Sequence, residues 1–304
     1  MSKLTELELL ADLEKISYQD RYHCKTTYDV FCHAADEYPA DIAIAEHVTA
    51  TRDEVAKEIT FATLFNKLNQ TANLFKKLGV GRTDVVSILL PNLTETHLSI
   101  WASQAVAIAN PINYLLQVDH IIEILNEVKT KVLVTVSLDA ETELGKKVHE
   151  IIARVPSLEH VLVVDNSYGE ISHKNITVSD FNHAISTQSN ERLAETFQPK
   201  GEDIAMYFHT GGTTGRPKIA KLSHDNISFV VQVYAGFNAY HGKSAVLNAL
   251  PLFHVFGVIA ASLAMFFVGR TVVIMTPEGF RNPNTVKNWW YFVNKYQVCW
   301  FPTV

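Results

Sequence analysis

No stretch of the sequence stays apolar for the ~20 residues that a helix needs to cross a bilayer. The longest such run, Val255 to Val268, is 14 residues long and stops at Gly269-Arg270, which predicts a buried core helix. Cysteine is scarce. The three that occur, Cys24, Cys32 and Cys299, make an odd count with no tight pairing pattern. That argues against a disulfide framework and suits a reducing cytosol. There is no basic block and the net charge is -6, so nothing favours nucleic acid as a partner. Lys3 to Ile16 is rich in Glu and Asp, the opposite of the basic start of a secretory signal. A soluble, cytoplasmic protein is expected. Repeats and low-complexity tracts are missing, as are H-E-x-x-H and the G-x-S-x-G hydrolase elbow. His23-Cys24 and Cys32-His33 lie in a segment that reads as a helix. Seven residues separate the cysteines, which is not a usual zinc spacing, so no metal site is expected.

What is present is a regular alternation. With 47% of 304 residues hydrophobic and 19% charged, the chain can bury a substantial core. Phe61, Leu64, Phe65, Leu68, Ala72, Phe75 and Leu78 share one helical face, and Gly79 follows as a stop. Val85 to Leu90 reads as a buried strand closed by Pro91-Asn92. A helix is expected near Thr94 to Ala105, then a short strand to Asn110-Pro111, a helix near Asp119 to Val128 and a strand from Lys131 to Val136. A helix from Glu141 to Val155 and a strand from His160 to Val164 complete this half. The polar stretch from Tyr168 to Pro199 reads as a boundary dividing the chain at about residue 190 into two subdomains, 1–190 and 191–304. The second half repeats the pattern: strands at Ile204 to Phe208, Ala245 to Leu250 and Thr271 to Met275, and helices near Asp225 to Tyr234, Val255 to Phe267 and Thr285 to Lys295. Trp289, Trp290 and Tyr291 are expected to serve helix packing. The fold class is α/β, with stacked βαβ units and mainly parallel sheets. Val298 to Val304 is an apolar run, begun as a strand, inside which the chain stops. An interrupted terminus is expected.

The most informative segment runs from Tyr207 to Lys218, Y-F-H-T-G-G-T-T-G-R-P-K. Gly211, Gly212 and Gly215 let the backbone approach a ligand and turn its N–H groups inward. Thr210, Thr213 and Thr214 add hydroxyl donors, and Lys218 adds a positive charge. The loop follows a strand, where nucleotide sites in α/β sheets usually lie. Donors of this density without an acid fit a polyphosphate. The P-loop pattern G-x-x-x-x-G-K-[ST] fails here: with Gly212 and Lys218 in register, Pro217 replaces its second Gly and Ile219 its hydroxyl. A plain Gly/Thr turn would not need Lys218 and three hydroxyls.

This segment resembles the hallmark loop of the adenylate-forming superfamily (acyl-CoA synthetases, luciferases and peptide-synthetase adenylation domains), roughly [Y/F]-T-S-G-[S/T]-T-G-x-P-K-G. Thr210, Gly212, Thr213, Thr214, Gly215, Pro217 and Lys218 match; Gly211 stands for the usual Ser and Ile219 for the usual Gly. Ser223-His224-Asp225-Asn226 is similar to the family's H-x-N segment. Leu250 to Gly257, L-P-L-F-H-V-F-G, resembles the P-L-F-H-x-x-G segment of acyl-CoA synthetases. Glu58 to Asn92 and Ala105 to Asn113 are weaker matches, with Val106 at a family Gly position.

The resemblance implies the N-terminal part of such an enzyme, ending before the large domain is complete and lacking the small C-terminal domain. It implies that the loop holds the β- and γ-phosphates of ATP, that His254 orients or stabilises the reacting carboxylate, and that Phe253 and Phe256 lie near the acyl pocket. The implied reaction joins a small-molecule carboxylic acid, fatty or related, to coenzyme A through an acyl-adenylate, with ATP and Mg2+. The later family motifs for adenosine, ribose, the hinge and the C-terminal lysine do not occur in these residues. Two other readings stand beside this one: a non-catalytic remnant that binds nucleotide or an acyl group weakly, and an unrelated α/β nucleotide-binding module.

Overall fold

The structure is a computed structural model, and it describes residues 14–15, 24–165, 176–210, 218–238 and 244–302. Its frame is a seven-stranded sheet of β3 (Val85–Leu89), β4 (Ile108–Pro111), β5 (Thr130–Thr135), β6 (His160–Val163), β7 (Thr177–Asp180), β8 (Ile204–Thr210) and β9 (Lys218–Ser223), in the order β7-β6-β5-β3-β4-β8-β9. All neighbours are parallel except β8 and β9. A second sheet, β10-β11-β1-β2, joins β1 (Ile42–Glu46) and β2 (Lys57–Thr60) to β10 (Val246–Asn248) and β11 (Val272–Ile274). The near-continuous apolar strands β3 to β6 fit a parallel sheet covered on both faces.

Two of the helices start at threonine caps that the sequence displays. In α1 (Thr27–Glu37), Thr26 and Asp29 form a reciprocal capping box. α2 (Phe61–Lys77) starts at Thr60, whose side chain accepts from the Thr63 N–H, and the chain leaves it through Gly79 at φ +74°. α3 (Thr94–Val106) is buried on every side, with Ser99 and Ser103 returning their hydroxyls to carbonyls four residues back. α4 (Val118–Glu127) and α5 (Glu143–Arg154) each bury one apolar stripe. The main hydrophobic cluster combines side chains from both sheets, among them Ile44, Val86, Val132, Val246 and Val272.

Several elements depart from expectation. The polar stretch before residue 199 holds β7 and α6 (Phe181–Ser186), capped by Asp180. Each sheet draws strands from early and late in the chain: β8 pairs with β4, and β1 pairs with β11. The segment after Lys218 is a strand, β9, before α7 (His224–Asn238) begins. The expected Val255–Phe267 helix, α8, is π-helical over Phe256–Leu263 and α-helical only over Ala264–Phe267. The expected 285–295 helix breaks at Asn288 into α9 (Pro283–Lys287) and α10 (Trp289–Lys295). There the Asn288 amide is drawn away to the Ala50 carbonyl and Arg52. Trp289 packs as expected on Phe280 and Phe301, but Trp290 is 71% exposed. Among the described residues, Val298–Phe301 makes one isolated bridge, Val246 to Trp300. Cys24, Cys32 and Cys299 are free, and burial raises the first two thiols to about 12 and about 11. No described helix is long and apolar enough to cross a membrane.

Candidate functional site

β8 and β9 are an antiparallel hairpin whose register sets Thr210 opposite Lys218. The Thr210 hydroxyl donates to the Lys218 carbonyl at 3.3 Å, closing the mouth of the loop. Both residues are exposed there, and Lys218 carries an ammonium donor. Gly211, Gly212, Thr213, Thr214 and Gly215 lie outside the described residues. A strand–loop–strand differs from the strand–loop–helix of a P-loop, which agrees with the failed P-loop pattern. Ile219, in place of a family Gly, is a half-buried strand residue packed against apolar neighbours. His209, just before Thr210, has a buried Nδ1 without a hydrogen-bond partner. Burial lowers its pKa and nearby His120 lowers it further.

The second part of the site is the turn from Leu250 to Gly257, which leaves β10 and enters α8. The His254 N–H donates to the Pro251 carbonyl at 3.1 Å, and the His254 carbonyl accepts from the Val258 N–H at 3.1 Å. Gly257 is required by close approach: a Cβ there would lie 2.5 Å from the Pro251 oxygen. The Gly257 carbonyl accepts from both Asn248 Nδ2 and Ser262 Oγ, at 2.9 Å each. This buried polar pair accompanies the wide π register, which sequence periodicity cannot reveal. The imidazole of His254 is left exposed.

The two phenylalanines of the turn have different neighbours. Phe253 meets the ring of Tyr114 edge-on at 5.8 Å, while Phe256 lies among Tyr234 and Trp300. Phe256 lines an apolar groove of about 360 Å3 between α7 and α8, together with Ile227, Val230, Tyr234, Ile259 and Ala260. Phe253 is not among the groove's lining residues. A more polar cavity of about 420 Å3 opens beside Tyr114, with Glu143, Lys147, Glu278 and Arg281 on its walls. Burial raises the Tyr114 pKa, and Arg281 partly reverses the shift.

Strand direction gathers these pieces. β3, β4 and β8 are mutually parallel, so the segments after them leave the same edge of the sheet. Asn92 follows β3, Tyr114 follows β4, and the loop follows Thr210. This carboxyl edge is where open α/β sheets bind ligands. Asn92, which sequence reasoning treated only as a strand terminator, holds the His254 turn through two side-chain hydrogen bonds. Its partners stand 158 and 160 residues away, so no local signal could have found it.

Comparison with known proteins gives a consistent result. The family profile described as AMP-binding enzyme matches residues 31–304. Marinolic acid–CoA ligase from Pseudoalteromonas sp. (strain SANK 73390) is 32% identical over 303 residues, covering 97% of this chain and 45% of that protein. Crotonobetaine/carnitine–CoA ligase from Salmonella paratyphi B is 28% identical over 247 residues, covering 80% and 44%. The chain thus spans about half the length of the curated relatives it matches. Among solved structures, the anthranilate CoA ligase AuaEII in complex with anthranoyl-AMP aligns with a TM-score of 0.74 at 23% identity, covering 94% of this chain and 51% of that one. The N-terminal domain of FACL13 from Mycobacterium tuberculosis aligns with a TM-score of 0.70 at 18% identity, covering 91% and 62%. At these identities the structural matches establish the fold.

Proposed function

Because the chain belongs to the family of AMP-binding enzymes, we propose that it carries the triphosphate and acyl side of an ATP-dependent acid–thiol ligase. The observation that carries the reading is the common sheet edge: the hairpin mouth at Thr210 and Lys218 and the tether of the His254 turn follow parallel strands. In the reaction a carboxylate oxygen attacks the α-phosphorus of ATP, the bond to the β-phosphate oxygen breaks, and pyrophosphate leaves. The thiol of coenzyme A then attacks the acyl carbon of the adenylate and displaces AMP.

Each residue has a definite task in this reading. Lys218 supplies a charge-assisted donor to the β- and γ-phosphates, and the Thr210 hydroxyl a neutral one on exchanging the Lys218 carbonyl for a phosphate oxygen. The residues between them add backbone N–H groups. The imidazole of His254 donates to or orients the carboxylate, holding it for in-line attack. The α7–α8 groove takes the apolar part of the acid, with Phe256 on its wall. Phe253 acts through its contact with Tyr114, holding the turn without lining the groove. Among the described residues there is no group of three His, Cys, Asp or Glu able to hold a metal ion. Mg2+ in this reading accompanies the nucleotide, and no step is assigned to protein ligands for it. A cytoplasmic setting belongs to the same proposal and rests on the three free cysteines.

The test is chemical. The native protein carrying this sequence is incubated with ATP, Mg2+ and a panel of aliphatic and aromatic acids, and acyl-adenylate and acyl-CoA are read by mass spectrometry. Formation of both with an acid of apolar body is expected. ATP hydrolysis without either product, and indifferent to added acid, would refute the reading.

A further inference from the structure

Asn92 is only 5% exposed and lies three residues past β3, at the carboxyl edge of the seven-stranded sheet. Its side-chain amide is used at both ends by one short segment. Nδ2 donates to the Leu250 carbonyl at 3.0 Å, and Oδ1 accepts from the Leu252 N–H at 3.0 Å. Its own N–H donates to the Pro277 carbonyl at 3.0 Å. The residue bracketed by the amide is Pro251, which has no N–H to offer. The Pro251 carbonyl in turn accepts from the His254 N–H, and Gly257 presses against that same oxygen.

The bracketed segment has no ladder of its own. β10 ends at Asn248 and α8 begins at Phe256, so the backbone between them depends on such contacts for its place. β10 belongs to the four-stranded sheet, whereas Asn92 follows a strand of the seven-stranded one. The amide therefore ties the His254 turn to the edge from which the phosphate hairpin also departs. Gly279 confirms how tightly the region is packed: a Cβ there would lie 2.1 Å from the Ala249 oxygen and 3.3 Å from Asn92 Nδ2.

We propose that Asn92 is a positioning residue for carboxylate activation: its amide fixes the Leu250–His254 turn, and so the imidazole of His254, against the sheet edge that bears the phosphate hairpin. The proposal rests on the reading of His254 given above. An amide with both ends engaged specifies orientation as well as distance, because no rotation about its side chain keeps both bonds. Displacement of a catalytic group by about 1 Å can cost on the order of a hundredfold in rate.

The experiment uses the native protein carrying Asn92→Ala, His254→Ala or both. Asn92→Ala should lower kcat for acid-dependent adenylate formation about ten- to a hundredfold, with the KM for ATP within about twofold of wild type. The double variant should be no slower than His254→Ala alone, because two residues acting as one unit are non-additive. Additive losses, or an ATP KM that rises as far as kcat falls, would overturn the proposal. Asn92→Asp keeps the acceptor for Leu252 but sets a carboxylate against the Leu250 carbonyl; it carries the same comparison if the alanine variant does not fold, and it should remain impaired. Amide hydrogen exchange decides independently of activity: the His254 N–H should exchange faster in Asn92→Ala while amides of α3 do not. Unchanged protection at His254 overturns the positioning role. Faster exchange there, in a protein whose wild type forms no adenylate, upholds the positioning and overturns the ligase reading instead.

Discussion

Replacing Gly257 and Gly236 by alanine should move stability in opposite directions. At Gly257 the new Cβ would sit 2.5 Å from the Pro251 oxygen, 3.1 Å from Leu250 Cβ and 3.2 Å from the Pro251 carbonyl carbon. The nearest of these atoms is backbone, pinned by its neighbours to Asn92, so relief requires the turn to shift. Overpacking of this kind costs about 1–3 kcal/mol, against which alanine regains about 0.5–1 kcal/mol over glycine in a helical backbone. With backbone as the obstructing atom the cost lies in the upper part of that range, and the net for Gly257→Ala is a loss of up to about 2.5 kcal/mol. Gly236 lies on an exposed face of α7 with nothing within 4 Å of its would-be Cβ. Only the backbone term applies, so Gly236→Ala should gain about 0.5–1 kcal/mol. Urea unfolding midpoints, with the slope unchanged, measure both. A Gly257→Ala midpoint above that of wild type would mean that the turn is loosely held, and the close approach of Gly257 to the Pro251 carbonyl would not constrain it.

Lys218→Ala should weaken triphosphate binding by about 1.5–3 kcal/mol, the scale of a charge-assisted hydrogen bond, as read by calorimetric titration with ATP. His254→Ala should slow adenylate formation more than it weakens ATP binding, and equal effects on both would reduce His254 to packing. His224, whose Nδ1 faces the backbone and hydroxyl of Thr27, has its pKa lowered from 6.5 to about 4, first by burial and then by Arg82. The unfolded chain therefore binds more protons between pH 6.5 and 4, and stability that is full above 6.5 falls as pH drops through that window. The fall from this residue is on the order of 3 kcal/mol, and His224→Asn should flatten the pH dependence of unfolding there.

The sequence reveals most where one physical signal dominates. β3, β5 and β6 are apolar runs closed by turn residues, and α2 has a full stripe, a cap and a stop, so all were legible. β7 was not, because an edge strand reading Thr-Val-Ser-Asp buries little and shows no apolar pattern. β9 was hidden by Lys218 and Lys221, whose charges suit a loop as readily as a sheet edge. The π register of Phe256–Leu263 involves Asn248 and Ser262, a tertiary arrangement that leaves helical periodicity uninformative. At the break, the Asn288 side chain bonds partners more than 200 residues away in sequence, which no local pattern displays. Lys218 and His254 could be named because each sits in a compact local motif. Asn92 and the separation of Phe253 from Phe256 became visible only with the fold.

The central claim is that these residues activate a carboxylate with ATP, and pyrophosphate–ATP exchange tests it most directly. Labelled pyrophosphate should enter ATP only when a suitable carboxylic acid is present, at a rate that saturates with the acid. Exchange that proceeds equally without acid, or ATP consumption with no exchange under any acid supplied, would contradict the account.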